Sequence, residues 1–181
     1  MKKFTTIYTS VFALLMIVST NMQAQKYSSL DKSPLDIASY PNDYKDANKQ
    51  LKVIYSRPQL KERSLSKLAP NGKVWRTGAN EAAELVLYSD FNLGETSVKA
   101  GTYSLFTIPG EKEWTIILSS DLNVWGSYYY NEANDVARLT VPVMSDKESI
   151  EAFSIAMEKG ENGVDMYLAW DTLRVKVPFT K

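Results

Sequence analysis

The chain contains no cysteine and no histidine, and its 21 basic side chains are matched by 21 acidic ones. Each absence excludes chemistry. Without cysteine there is no disulfide, no thiolate ligand and no lipid anchor on a cysteine after a leader, so an ordinary core must hold the fold. Without histidine the Ser-His-Asp and Cys-His nucleophile pairs fall away, together with zinc proteases built on paired histidines and most catalytic zinc sites. Calcium loops of alternating Asp/Asn with a closing Glu are missing, as are glycine-rich phosphate cradles. No cofactor and no metal is expected. Nucleic acid is not an expected partner either, because phosphate binding needs clustered Lys and Arg and no basic block exists. An enzyme made from this chain would work with carboxylates, lysine, tyrosine or arginine.

What is present begins with a targeting segment. Lys2 and Lys3 form a charged start, and Val11 to Val18 is an unbroken apolar run. That run is far short of the roughly 20 residues a bilayer span needs. Residues 1–24 are therefore expected to be a signal peptide, cleaved near Ala24 within Met22-Gln23-Ala24. The protein is then exported, periplasmic or extracellular. Two lysines and no acid leave with the leader, so the remaining chain is slightly acidic. Its length suits one domain, and 44% hydrophobic with 12% aromatic residues is enough for a core. No other segment is long and apolar enough to span a membrane.

Residues 25–50, with Ser33-Pro34, Tyr40-Pro41 and Asn42-Asp43-Tyr44, read as an irregular arm. From residue 51 the hydrophobic period becomes two, the period of a strand. Leu51 to Ser56 is an expected strand ended by Pro58, Leu60 to Leu68 a short helix, and Leu85 to Phe91 a strand. Tyr103 to Ile108 and Trp114 to Ser119, joined by Pro109-Gly110-Glu111-Lys112-Glu113, form an expected hairpin. Trp125 to Tyr130, Val136 to Val143 and Ile150 to Glu158 read as extended, and Gly160 to Gly163 as a turn. In Val164 to Asp171 the apolar residues are Val164, Met166, Leu168 and Trp170; Leu173, Val175, Val177 and Phe179 then alternate with Arg174 and Lys176. About nine strands without intervening helices indicate an all-β fold, an antiparallel β-sandwich or flattened barrel over 51–181, with no repeat and no second domain.

Five segments together resemble one family: Ile54-Tyr55-Ser56-Arg57-Pro58, Gly72-Lys73-Val74-Trp75-Arg76-Thr77-Gly78-Ala79-Asn80-Glu81, Ala100 to Gly110, Glu113 to Ile117 and Trp125-Gly126. Their order is similar to that of the bacterial domain-of-unknown-function family numbered 2911, from about residue 33 to the C-terminus. The resemblance implies an exported bacterial protein and brings no activity, substrate or catalytic residue. The chain departs from the family pattern at Ser64-Leu65-Ser66-Lys67, where an Ile-Phe-Gly element is usual, and at Val124, where a polar residue is more common.

Arginine is scarce, yet Arg57 and Arg76 sit beside Tyr55 and Trp75 in aromatic segments. Guanidinium suits bidentate carboxylate pairing and stacking on rings. Two readings stand side by side. In one, Arg76 pairs with Glu81 to pin the Thr77-Gly78-Ala79-Asn80 loop, and Arg57 packs on an aromatic neighbour. In the other, Arg57, Arg76, Asn80 and Glu81, with Trp75 and Trp125, gather at a rim of the sandwich to hold a polar or anionic ligand. Glu81 is a weak candidate catalytic acid or base, with Glu84 the nearest second carboxylate of the pair glycoside hydrolysis needs. Glu84 also reads as a solvated residue at a strand start, and Asp121, Asp135 and Asp146 as turn residues. Trp114, Trp125, Tyr128, Tyr129 and Tyr130 supply either core or a stacking surface for sugar rings or a peptide; as a strand they would send Tyr128 and Tyr130 to one face and Tyr129 to the other.

The expectation is a module of the cell envelope that binds a carbohydrate, a small polar ligand or an envelope protein and performs no chemistry of its own. The alternatives are a carboxylate-dependent hydrolase of envelope or extracellular glycan, and a structural or assembly module whose strand edge pairs with another chain.

Overall fold

The computed structural model describes residues 25–181; the expected signal segment lies outside them. Residues 25–30 carry no regular secondary structure, and Asp31–Lys181 form the folded unit. Among the described residues nine strands form: β1 (Leu35–Tyr40), β2 (Leu51–Ser56), β3 (Ala83–Leu87), β4 (Phe91–Leu93), β5 (Thr96–Val98), β6 (Gly101–Ile108), β7 (Glu113–Ser119), β8 (Asp135–Gly160) and β9 (Gly163–Thr180). They hydrogen-bond in one antiparallel sheet of order β1-β2-β3-β6-β7-β8-β9-β4-β5, which is not closed into a barrel.

The sheet becomes a sandwich because β8 changes partner along its length. Asp135 to Pro142 pair with β7, and from Val143 onward the same strand pairs with β9. Pro142 has no N–H for a ladder, which suits the residue at which one partner is exchanged for another. One layer is β1-β2-β3-β6-β7 with the first part of β8, and the other is the rest of β8 with β9, β4 and β5. Strands that switch sheets at a bend are a known way of making such corners.

The expected strands at 136–143 and 150–158 are thus one strand, and so are those at 164–171 and 173–179. Inward positions along β9 are even through Trp170 and odd from Leu173. A one-residue slip would turn every later side chain to the wrong face. Asp171, at φ 51°, absorbs it: β8 and β9 shift register between Ile150↔Asp171 and Ser145↔Leu173. A bulge thus keeps Val164, Met166, Leu168, Trp170, Val175, Val177 and Phe179 all buried.

Other expectations are corrected by backbone geometry. Residues 35–40 of the expected irregular arm are β1, paired at all six positions with β2. An edge strand buries little, so its sequence carries weak alternation: Leu35 and Ile37 remain exposed. The helix expected over 60–68 shrinks to one turn, α1 (Leu65–Leu68), because Lys61 and Glu62 take left-handed φ values of 46° and 62°. The strand expected over 85–91 ends at Leu87; Asp90 accepts the Ala100 N–H and Lys99 Nζ, each at 2.8 Å, and Phe91 starts β4 in the other layer. The β6–β7 hairpin forms as expected, and Gly110 is required in its turn because a Cβ there would lie 2.5 Å from Glu113 O.

Between the layers lies an aromatic cluster centred on Trp75. Its indole stacks on Trp170 (5.4 Å between centroids) and meets Phe153 (5.0 Å) and Trp114 (6.1 Å) edge-on. Tyr55 packs edge-on against Phe153 and its hydroxyl accepts the Ile155 N–H at 2.9 Å, joining β2 to β8. Trp75 is 6% exposed, against 55% for Trp125. Trp75→Ala is therefore expected to cost about 3–5 kcal/mol and to lower Tm by roughly 2–4 °C per kcal/mol. Trp125→Ala should stay within about 0.5 kcal/mol of the parent; thermal unfolding of both variants checks the contrast.

Candidate functional site

Trp75 also anchors the rim of the sandwich. Its N–H donates to Thr107 O (2.7 Å) and its carbonyl accepts the Thr107 N–H (2.9 Å), so residue 75 extends the sheet beside β6 while its ring fills the core. The chain then curls: Thr77 and Asn80 take φ values of 52° and 63°. The Arg76 guanidinium closes this curl by donating from Nη1 to Asn80 O at 3.3 Å. The same carbonyl accepts the Gly126 N–H at 2.9 Å, Glu81 bridges Trp125, and Ala82 N–H donates to Val124 O at 3.0 Å. Two segments distant in the chain, Arg76 to Ala82 and Val124 to Gly126, are thereby interlocked.

Gly126 is the tight point of this junction. It has φ +67°, and a Cβ there would stand 2.7 Å from the Tyr128 ring and 3.2 Å from Arg76 Nη1. Only glycine allows both the left-handed turn and the close seat of the Tyr128 ring beside the guanidinium. The turn also breaks the strand expected over Trp125 to Tyr130, together with Asn123 at φ 57°. Alternate facing is lost, and Trp125, Tyr128 and Tyr129 are all exposed, at 55%, 74% and 85%.

These rings project from a loop, residues 120–134, that is fastened at both ends. Ser120 N–H donates to Asn134 O (2.9 Å), Asn134 Nδ2 donates to both Asp121 carboxylate oxygens (2.8 and 2.9 Å), and Ser104 Oγ donates to Asp121 O (2.5 Å). At the other end the Tyr130 hydroxyl donates to Asp135 Oδ2 (2.6 Å) and accepts from Arg138 Nη2 (2.6 Å), while Arg138 Nε donates to the same Asp135 oxygen (2.5 Å). The Tyr130 ring lies edge-on to Phe106 at 5.2 Å. Val124 and Tyr130 thus cover Phe106 and Ile117 on the outer face of β6 and β7, burying both faces of those strands. The consecutive apolar Ile116-Ile117-Leu118 was the available signal for this second cover.

The structure brings Arg76, Asn80, Glu81 and Trp125 to one rim and places the other two candidates elsewhere. Trp75 is core. The Arg57 guanidinium is committed to Asp36 Oδ2 (2.9 Å), Phe153 O (3.0 Å) and Ser154 Oγ (2.6 Å), tying β1 and β2 to β8 instead of packing on a ring. Arg76 and Glu81 form no ion pair with each other; Arg76 holds its loop through the Asn80 carbonyl. Trp114 is buried, whereas Asp146 pairs with Arg174 at 3.4 Å and Asp135 is a buried acceptor at the loop's foot.

Next to the rim the cover stops, and a groove of about 360 Å³ opens on the outer face. Leu35, Ile54, Ser56, Glu81, Glu84 and Asn123 line it, so the two carboxylates noted in the sequence share one groove. Leu35, Ile54 and Asn123 were not marked as site residues in the sequence, since only β1 pairing and the folded-back loop bring them together. Among the described residues no group of three or more metal-ligating acids gathers anywhere, and no helix is long and apolar enough to cross a membrane.

Burial, reinforced by the Asp135 carboxylate, pushes the Tyr130 phenol up to about 12. A raised folded-state value means that the stabilisation is complete below the ordinary value of 10.0 and is lost as pH rises through about 12. Absorbance titration of the phenols should show one tyrosine ionising last, and Tyr130→Phe should remove that step together with the extra loss of Tm in that window. The different employment of the rim residues gives a second expectation. Arg57→Ala, which removes three hydrogen bonds, should cost about 2 kcal/mol, whereas Glu81→Gln, with an exposed side chain, should leave Tm within about 1 °C.

The chain matches no curated protein and no solved structure. A family model described as "Protein of unknown function (DUF2911)" matches residues 33–179, and the interlocked segments around Trp75-Arg76 and Trp125-Gly126 fall inside it; the chain belongs to this family.

Proposed function

We propose that the protein is an exported binding module of the cell envelope whose site is the rim formed by Arg76, Glu81 and the loop carrying Trp125, Tyr128 and Tyr129. The observation that carries this reading is the pairing of exposure with rigidity. Three large aromatic rings face solvent on a loop whose ends are held by charge-assisted hydrogen bonds. A mobile loop would have to be ordered on binding, at a cost in affinity; a pinned one presents its rings in advance. Flat rings, two tipped by a hydroxyl and one carrying an indole N–H, beside an arginine and a carboxylate, offer stacking together with polar handles, the combination used for sugar rings and polar ligands.

The test compares the parent with a Trp125→Ala, Tyr128→Ala, Tyr129→Ala triple variant against soluble glycans, isolated cell-wall polymer and small polar ligands. The expected result is at least one saturable ligand whose affinity falls more than tenfold in the triple variant, with Tm unchanged. Equal binding by parent and variant across the panel would refute the aromatic rim. The shared groove of Glu81 and Glu84 favours one rival, a carboxylate-dependent glycan hydrolase. Turnover that survives purification and vanishes in Glu81→Gln would replace the binding reading with that one, and a concentration-dependent dimer without any ligand would replace it with an assembly role.

A further inference from the structure

The groove beside the aromatic rim has a composition of its own. Along the outer face, Ile37 opposes Ile54 and Ile54 opposes Glu84, forming one cross-strand row over β1, β2 and β3. The apolar cover from the loop, Val124 and Tyr130, packs on Phe106 and Ile117, and of that loop Asn123 borders the groove. Leu35 and Ile37, two residues apart on that face, are left 69% and 56% exposed. Glu81 and Glu84 stand on the same groove and neither has an ion-pair partner among the described residues. Among the described residues no lysine or arginine lines it.

We infer that this groove docks an extended peptide segment of another protein in which a basic side chain flanks apolar ones. The inference rests on the binding reading above and names a partner class for the groove next to the rim. Charge decides the polarity of the partner: two carboxylates with no ion-pair partner among the described residues attract Lys or Arg and repel acidic chains. Spacing decides its shape. Leu35 and Ile37 repeat at the two-residue period of a strand, so an extended chain laid beside them meets an apolar surface at every second residue. The apolar side chain rests on Leu35 and Ile54, and the basic one reaches Glu81 and Glu84. Asn123 closes the wall toward the aromatic loop with a side-chain amide that both donates and accepts.

Fluorescence anisotropy with labelled Lys-Leu-Lys-Leu-Lys and Glu-Leu-Glu-Leu-Glu probes tests this on the parent protein, on Glu81→Gln/Glu84→Gln and on the aromatic triple variant. The basic probe should bind saturably and the acidic probe should not. Binding should weaken about fivefold for each carboxylate removed, the upper end for an exposed ion pair, and should decline as ionic strength rises from about 0.05 to about 0.5 M. Tm of the double variant, measured alongside, should match the parent. Equal binding of both probes, no binding of the basic probe, or an unchanged affinity in the double variant would each overturn the inference. Self-association that disappears in the double variant would also overturn it, by assigning the groove to a second copy of the chain. The two readings separate cleanly: loss of panel binding in the triple variant without any basic-probe binding refutes the groove alone. A basic probe that binds while the triple variant is indistinguishable from the parent on every other ligand refutes the aromatic rim alone.

Discussion

The packing of Trp75 between the two layers is the constraint on which the remaining architecture depends. Its ring is shared by Trp170 on β9, Phe153 on β8 and Trp114 on β7, so one side chain holds both layers at their working separation. Its backbone is bonded on both sides of Thr107 at the margin of β6. Because the ring is fixed inward, the next residue, Arg76, must leave the sheet and begin the curl that ends at Glu81. Core and rim are thus set by consecutive residues, and the rim inherits the rigidity of the core.

The long strands solve a different problem. A nine-stranded antiparallel sheet with two free edges has to bury its apolar face against something, and β8 and β9 let it fold onto itself without closing. The cost is a phase error between the halves of each strand, and the bulge around Ile150 and Asp171 corrects it. The edges are managed by brevity at β5, which has three residues, and by the Arg57 clamp at β1, where Asp36 on the edge is tied across β2 to Ser154 on β8.

The proposed site lies where the outer face is only half covered. The loop over β6 and β7 converts part of that face into a small second core, and the boundary of the cover generates both candidate features: rings that project upward and a groove that remains below. The Tyr130–Asp135–Arg138 network explains why this boundary is fixed. Its phenol is held neutral far above ordinary pH, which keeps the hydroxyl available to donate to the carboxylate while accepting from the guanidinium. Family membership adds no activity to this picture, so the chemistry of the surface carries the functional reading.

Several features were legible from the amino-acid sequence, and physical locality is the reason. The all-β class, the β6–β7 hairpin and the inward faces of β2 and β9 follow from two-residue alternation and turn residues, which act between neighbours in the chain. The absence of histidine and cysteine removed whole reaction classes for the same elementary reason. Tertiary structure alone decided the rest. Whether Arg57 meets a ring or Asp36, whether Arg76 meets Glu81 or the Asn80 carbonyl, and whether Trp125 is core or surface depend on where distant strands arrive. β1 was hidden because an edge strand buries too little to enforce alternation, and the continuity of β8 was hidden because a bulge imitates a turn. Leu35, Ile54, Glu84 and Asn123 come from four separate parts of the chain, and only the pairing of β1, β2 and β3 beneath the folded-back loop makes them one groove.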